Sequence, residues 1–387
     1  MKVEILNLEK IKKTIQDCNL NFLIGSGLSA PYLSTLGNIE VFLTELEASE
    51  LDEDKKLVIR ASAYKRFFED VIKNNLSFLD PITDVKAENL LKKYAEFLKT
   101  INHILLSRKT NLLSKQANLF TTNIDICLEK SLENSRLEFN DGFSGRFSPV
   151  FSLSNFKKTV YKTTQHFENK SEIPIFNVMK MHGSLTWRIE GEQIIFSDLR
   201  EIDQVDSLNF NPEVSITDES TFEKVSSEPI NNLISNKDEV LNNANRFSDA
   251  YAKFAIVNPN KDKFRDTVLN ENYYEILRMY SNELEKENTV LFVLGFSFSD
   301  EHIRNLTLRV ANSNPTLKIF IVCRSKNSSD KFKSVFQNSV IKNNNISCII
   351  PSQIKCEDDE SCEYKDEYSL DLTGVHQHLF SRILDSK

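Results

Sequence analysis

Apolar residues along this chain gather into short, almost unbroken runs separated by stretches in which they recur every third or fourth position. Four runs stand out: "NFLIGSG" (21–27), "NLFTTNID" (118–125), "TVLFVLGFS" (289–297) and "LKIFIVCR" (317–324). Each is rich in β-branched and aromatic residues and each is followed by a helical pattern. That combination predicts parallel strands buried on both faces. The segments 174–184, 254–259 and 346–350 predict further strands. The fold class that follows is α/β, a doubly wound, mainly parallel Rossmann-like sheet whose strands come from distant parts of the chain.

The roughly ninety residues between the first two runs carry no strand signal, and their apolar positions follow helical spacing. Residues 51–115 are therefore predicted to be a helical insertion in a domain formed by 1–50 and 116–350. Residues 198–250 are polar and poor in apolar runs, which predicts a mobile or weakly helical excursion. The acidic stretch "CEDDESCEYKDEY" (356–368) leads into a last amphipathic helix, "GVHQHLFSRIL", and together 351–387 form an acidic segment and C-terminal helix. No internal repeat is visible.

Composition narrows the picture. With 40% apolar and 27% charged residues in a chain of 387, global disorder is excluded, and the net charge of −8 argues against direct binding of nucleic acid over a broad basic face. The six cysteines are scattered with no C-x-x-C pair, so they suggest neither a disulfide framework nor a zinc module, and they read as reduced thiols. The amino terminus has no apolar core before a cleavage site, and no run approaches a membrane span, the longest being 289–298. A soluble, cytoplasmic protein is expected.

Chemistry is expected where polar residues appear abruptly at the carboxyl ends of buried strands. Gly25-Ser26-Gly27-Leu28-Ser29 could bring backbone close to a pyrophosphate, although strand-to-helix turns also use glycine for steric reasons. Thr121, Thr122, Asn123 and Asp125 could face a ligand, or Thr122 or Asn123 could simply cap the next helix. His182, in "MKMHGS", could act as a base near neutral pH or be a satisfied structural histidine. In "LGFSFSDEHI", capping is a sufficient reason for Ser299 and Asp300, while Gly295 would admit a nucleotide.

The order of these four, G-S-G-x-S, T-T-N-I-D, K-x-H-G-S and G-F-S-F-S-D, resembles the sirtuin family, specifically its bacterial sirtuin-like defence branch, over residues 20 to about 350. The resemblance implies an NAD-binding catalytic domain. It implies that Gly25, Ser26, Gly27 and Ser29 line the phosphates and that Asn123 lies beside the nicotinamide ribose with Thr122 as its neighbour. Asp125 would hydrogen-bond the carboxamide, and His182 would be the general base. Gly295, Phe296 and Ser297 would lie near the adenosine ribose, and Arg324 at the adenine end.

Two departures shape the activity. Protein-deacylating sirtuins carry two C-x-x-C pairs between the histidine and later glycine motifs, whereas residues 184–294 here contain no cysteine, so no zinc is expected. The family's Gln-Asn pair is Thr122-Asn123, and the turn after Gly27 lacks an arginine-bearing loop. Both point away from an acyl-lysine peptide and leave water as the acceptor. The implied reaction is NAD hydrolysis to ADP-ribose and nicotinamide, as an antiphage effector that forms a homo-oligomer with a HerA-type hexameric ATPase. Rival readings are a zinc-free NAD-dependent deacylase and an NAD- or ADP-ribose-sensing or nuclease subunit of a DNA-motor complex.

Overall fold

The computed structural model describes residues 6–34, 39–108, 110, 112–164, 169–212, 214–217, 220–227, 237–257, 267–336, 341–354 and 369–385. Its centre is a seven-stranded sheet built from β1 (Asn19–Ile24), β2 (Gln116–Thr121), β3 (Phe139–Asn140), β4 (Ile175–Lys180), β5 (Thr289–Leu294), β6 (Leu317–Val322) and β7 (Ile346–Ile349). The order is β7-β6-β5-β1-β2-β4-β3 and every pairing is parallel. All of β4 and β5 and all but the first residue of β1 and β2 are buried, as a sheet covered on both faces requires. The chain is thus doubly wound α/β, as its apolar runs predict.

Side chains alternate between two cores. On one face Phe22 meets Phe97 edge-on at 5.7 Å and Phe292 at 5.8 Å, and Phe380 from the C-terminal helical segment closes the cluster. On the other face Phe120 packs edge-on against Tyr280 at 5.0 Å, and the Tyr280 hydroxyl lies 2.8 Å from Thr307 Oγ1.

The covering helices explain the sequence pattern. After α1 (Leu8–Asp17), the β1–β2 connection forms α2 (Ile39–Ala48), α3 (Glu53–Phe67), a run of π and 3-10 turns to Phe78, and α4 (Val85–Leu106). Asp84 caps α4 by accepting from Lys86 N–H, and the buried face of α4 is Leu90, Leu91, Tyr94, Phe97, Leu98, Ile101, Ile104 and Leu105. This predicted insertion lies on the sheet and shares its core rather than standing apart.

Further on come α5 (Cys127–Asn134), α6 (Arg200–Asp206), α7 (Phe222–Ser227) and α8 (Lys237–Tyr251). In the described residues of 198–250, helices α6, α7 and α8 correct the expectation of a mobile or weakly helical excursion. Helix α8 docks on α3, with Tyr251 stacked on Tyr64 at 4.6 Å, and Phe222 of α7 meets Phe42 of α2. Aromatic anchors, together with Val240, Leu241 and Ala244 in the same core, hold a helix whose remaining residues are mostly polar. The chain continues through α9 (Thr267–Glu285), α10 (Glu301–Ser313) and α11 (Lys326–Val335).

Two expected strands fit β4 and β7, but the described part of the third, residues 254–257, does not form one. Ile256 makes an isolated bridge to Gly183, and 258–259 lie outside the described residues, as does the acidic run 356–368. Short antiparallel strands at Phe143–Ser144, Val150–Phe151, Trp187–Glu190 and Gln193–Phe196 form a small sheet around the Phe151–Trp187 contact at 4.5 Å. Beside the core, Asn21, Asn118 and Asn177 stand in register across β1, β2 and β4, with Asn118 Nδ2 donating to Asn21 Oδ1 at 2.8 Å and Asn177 Nδ2 to Asn118 Oδ1 at 2.9 Å. Asn118 also reaches Glu283, whose carboxylate is paired with Lys157 at 2.7 Å and Lys286 at 2.5 Å.

Candidate functional site

From β1 the chain winds outward through β2 in one direction and later through β5, β6 and β7 in the other. The switch point lies between β1 and β5, where a crevice opens at the carboxyl ends of the strands. The turns that leave these strands are bonded together: Gly25 N–H donates to Leu294 O at 2.9 Å and Gly27 N–H to Gly295 O at 3.0 Å. Glycine is required on both sides. A Cβ on Gly25 would stand 2.6 Å from Gly295 O, and one on Gly295, where φ is +61°, would stand 2.4 Å from Leu28 N.

Residues Ser26–Leu28 form a single 3-10 turn, in which Leu28 N–H and Ser29 N–H return to Gly25 O and Ser26 O. The amides of Gly27, Leu28 and Ser29 are thus engaged within the fold, while Ser26, Gly27 and Ser29 line the crevice. Ser29 is 1% exposed, and its hydroxyl lies 2.8 Å from the Tyr94 hydroxyl and donates to Asp125 Oδ2 at 3.2 Å. Through Tyr94, helix α4 is tied to the site. Burial, with Asp125 nearby, pushes the Tyr94 phenol well up, so it stays a neutral hydrogen-bonding group.

After β2, Asn123 N–H donates to Thr121 Oγ1 and Asp125 Oδ1 accepts from Cys127 N–H, both at 3.0 Å. Neither Thr122 nor Asn123 caps α5. Its cap position is Ile126, whose N–H is taken by the buried Asn75 side chain at 3.1 Å. Both Asp125 oxygens are occupied by the fold, whereas the buried Asn123 Oδ1 has no hydrogen-bond partner. An orphaned acceptor of this kind costs on the order of 1–3 kcal/mol unless a ligand or water satisfies it.

Lys180 ends β4 with 3% of its side chain exposed. Its ammonium donates to the carbonyl oxygens of Asn123 (3.3 Å) and Asp125, and pairs with Glu129 Oε1 at 3.0 Å. Burial pushes the Glu129 carboxyl up, and the Lys180 ammonium pulls it back. The K-x-H-G-S motif contains Lys180, but sequence reasoning assigned it no role. A lysine closing an apolar strand two residues before a histidine was the available signal.

His182 follows on a main chain held by Val257 N–H, which donates to His182 O at 2.8 Å. Gly183 packs there with φ +77°, where a Cβ would come within 2.1 Å of Ala255 O. Tyr273 lies beside the imidazole at 5.9 Å between ring centres. His182 Nε2 stands 3.2 Å from Asp300 Oδ2, with side chains 14% and 6% exposed. Asp300 Oδ1 meanwhile caps α10 by accepting from Ile303 N–H at 3.2 Å. Asp300 therefore does more than the capping inferred for it.

These groups surround a cavity of about 410 Å³, within the usual range for a small-molecule site. Ser26, Gly27, Ser29, Thr122, Asn123, Asp125, His182, Gly295, Phe296 and Ser297 all line it, and the β1–β2 connection adds an apolar wall of Leu33, Phe67 and Val71. Gly25 is absent from the lining and sits at the strand junction. Arg324 is also absent from it: its Nε donates to Ser369 Oγ at 3.1 Å, and its carbonyl accepts from Leu370 N–H. Among the described residues, no cluster of three or more His, Cys, Asp or Glu side chains could hold a metal, and no helix is long and apolar enough to cross a membrane.

A family model described as a SIR2-like domain matches residues 117–349, more than half of the chain. The match runs from β2 to β7 and includes Asn123, His182 and Gly295, while the Gly25–Ser29 turn lies before it. No curated protein sequence matches the chain.

Proposed function

The chain belongs to the SIR2-like domain family, and on that premise we propose that it is an NAD glycohydrolase releasing ADP-ribose and nicotinamide. Family membership ties the protein to NAD-dependent chemistry. The narrower reaction is supported above all by the buried Asn123 Oδ1, which has no hydrogen-bond partner, and by the His182 imidazole, on residues that border one cavity at the switch point. An acceptor and an imidazole placed together suit a sugar hydroxyl or a water, and the apolar wall restricts bulk solvent. The cysteine-free stretch 184–294 favours water over an acyl-lysine acceptor.

The residues divide the work by position. Asp125, locked by Ser29 and Cys127, shapes the end of the pocket expected to take the carboxamide. Asn123 orients the nucleophile, and His182 accepts its proton. The biological reading is an antiphage effector acting by NAD depletion, in a cytoplasmic homo-oligomer joined to a HerA-type hexameric ATPase. It rests on the resemblance alone.

Chromatography of NAD incubated with the protein, alone and with the ATPase, tests the activity. Asn123→Ala and His182→Ala should each lower nicotinamide release by about 10²-fold or more while leaving folding intact. Undiminished release by both variants would remove this site. Mass photometry of the two proteins tests the assembly, and a monomer indifferent to the ATPase would remove that part alone.

A further inference from the structure

We propose that Asp300 is a positioning residue for His182: its carboxylate holds the neutral imidazole with the proton on Nε2 and leaves Nδ1 as the basic nitrogen. The proposal rests on the NAD-hydrolysing reading above and gives Asp300 a part in it. Helix capping engages Oδ1, which receives Ile303 N–H at 3.2 Å. The other oxygen, Oδ2, is directed at the imidazole, 3.2 Å from Nε2.

Neither partner is free to withdraw. The cap fixes Asp300 at the start of α10, while the Val257 N–H bond and the close packing of Gly183 against Ala255 fix the main chain of His182. The two atoms stand at hydrogen-bond distance but outside hydrogen-bond alignment, and buried Nε2 has no hydrogen-bond partner. A modest rotation of the ring completes the bond. With the proton on Nδ1 instead, a lone pair on Nε2 would face a carboxylate at 3.2 Å in a mostly buried setting, placing two acceptors against each other.

Proton bookkeeping then follows. Water oxygen bonds to the ribose anomeric carbon, the carbon–nitrogen bond breaks with its electron pair staying on nicotinamide, and the water proton passes to Nδ1 and on to solvent. While the ring carries both protons, Asp300 stabilises the imidazolium, the part an aspartate plays in acid–histidine pairs elsewhere.

The cap makes the test clean, because asparagine caps a helix as well as aspartate does. In Asp300→Asn, Oδ1 keeps Ile303 N–H and the amide Nδ2 donor faces Nε2, which selects the opposite tautomer. Nitrogen NMR of the full chain labelled with ¹⁵N-histidine, assigned with a His182→Gln control, should show Nε2–H in wild type and Nδ1–H in Asp300→Asn. The melting temperature should be unchanged, and kcat for nicotinamide release should fall about 10²-fold with KM unchanged. Wild-type tautomer and kcat in Asp300→Asn, with losses confined to a destabilised Asp300→Ala, would reduce Asp300 to a cap and overturn the proposal. If wild type releases no nicotinamide, the glycohydrolase reading fails, while the tautomer comparison still decides whether Asp300 sets the ring.

Discussion

Lys180 and Glu129 meet at 3.0 Å with 3% and 13% of their side chains exposed, and the same ammonium holds the carbonyls of Asn123 and Asp125. A buried cation thus organises the loop that carries two of the proposed site residues without itself lining the cavity. Lysine suits the position because its three donors serve three acceptors around one point.

Lys180→Met removes that centre while keeping the length of the stem. Breaking a buried pair strands the remaining charge, so urea unfolding should show a loss of about 3 kcal/mol. A second change, Glu129→Gln, should return part of the stability but not the NAD-cleaving activity, because the two carbonyls stay unheld. Full activity in the double variant would show that the loop needs no such anchor.

Gly295→Ala tests the junction of the two turns. The left-handed backbone costs an L-residue about 1–2 kcal/mol, and the Cβ would also stand 2.4 Å from Leu28 N. We expect a lowered melting temperature together with weakened NAD binding by calorimetry. Gly191→Ala, with φ +61° but nothing within 4 Å of its Cβ, is the control that carries the backbone cost alone.

Acid should expose the Glu283 network. Burial pushes this carboxyl up, but hydrogen bonds from Lys157 and Lys286 outweigh it and hold the group below its ordinary value of 4.5. The folded state therefore binds the proton more weakly than the unfolded chain. Stability from this group is full above 4.5 and is lost as pH falls through the depressed folded value. Urea unfolding from pH 6 downward should show the advantage of wild type over Glu283→Gln shrinking once pH drops below that ordinary value. An advantage independent of pH would assign the effect to packing.

A zinc chelator should change neither the melting temperature nor the rate of NAD cleavage, since among the described residues no cluster of three or more His, Cys, Asp or Glu side chains could hold the metal. Stoichiometric zinc in the purified protein, measured by mass spectrometry, would contradict this.

Much of this was legible in the apolar runs. Strands buried on both faces announce themselves by unbroken runs: β5 and β6 fall within two of the four that stand out, and β1 and β2 overlap the other two, each starting two residues earlier. The cavity residues were legible for a related reason: Gly27, Asn123, His182 and Gly295 interrupt apolar runs where the strands end. Arg324 satisfied the same rule, yet β6 lies one strand beyond β5 from the switch point, and its side chain meets Ser369 instead. Strand ends alone do not reveal which neighbours share the crevice. Tyr94 and Phe67 were hidden because their helical spacing reads as core, and α8 because its anchors Phe247 and Tyr251 are diluted by polar neighbours.

The bond from Gly27 N–H to Gly295 O joins residues far apart in the order of synthesis. A chain still growing on the ribosome has no partner for its first glycine turn until β5 has left the exit tunnel, and Asp300 emerges later still. The glycine pair therefore closes the crevice only late in synthesis. If the protein consumes NAD, no nascent fragment that stops short of the second turn has the pocket to do so.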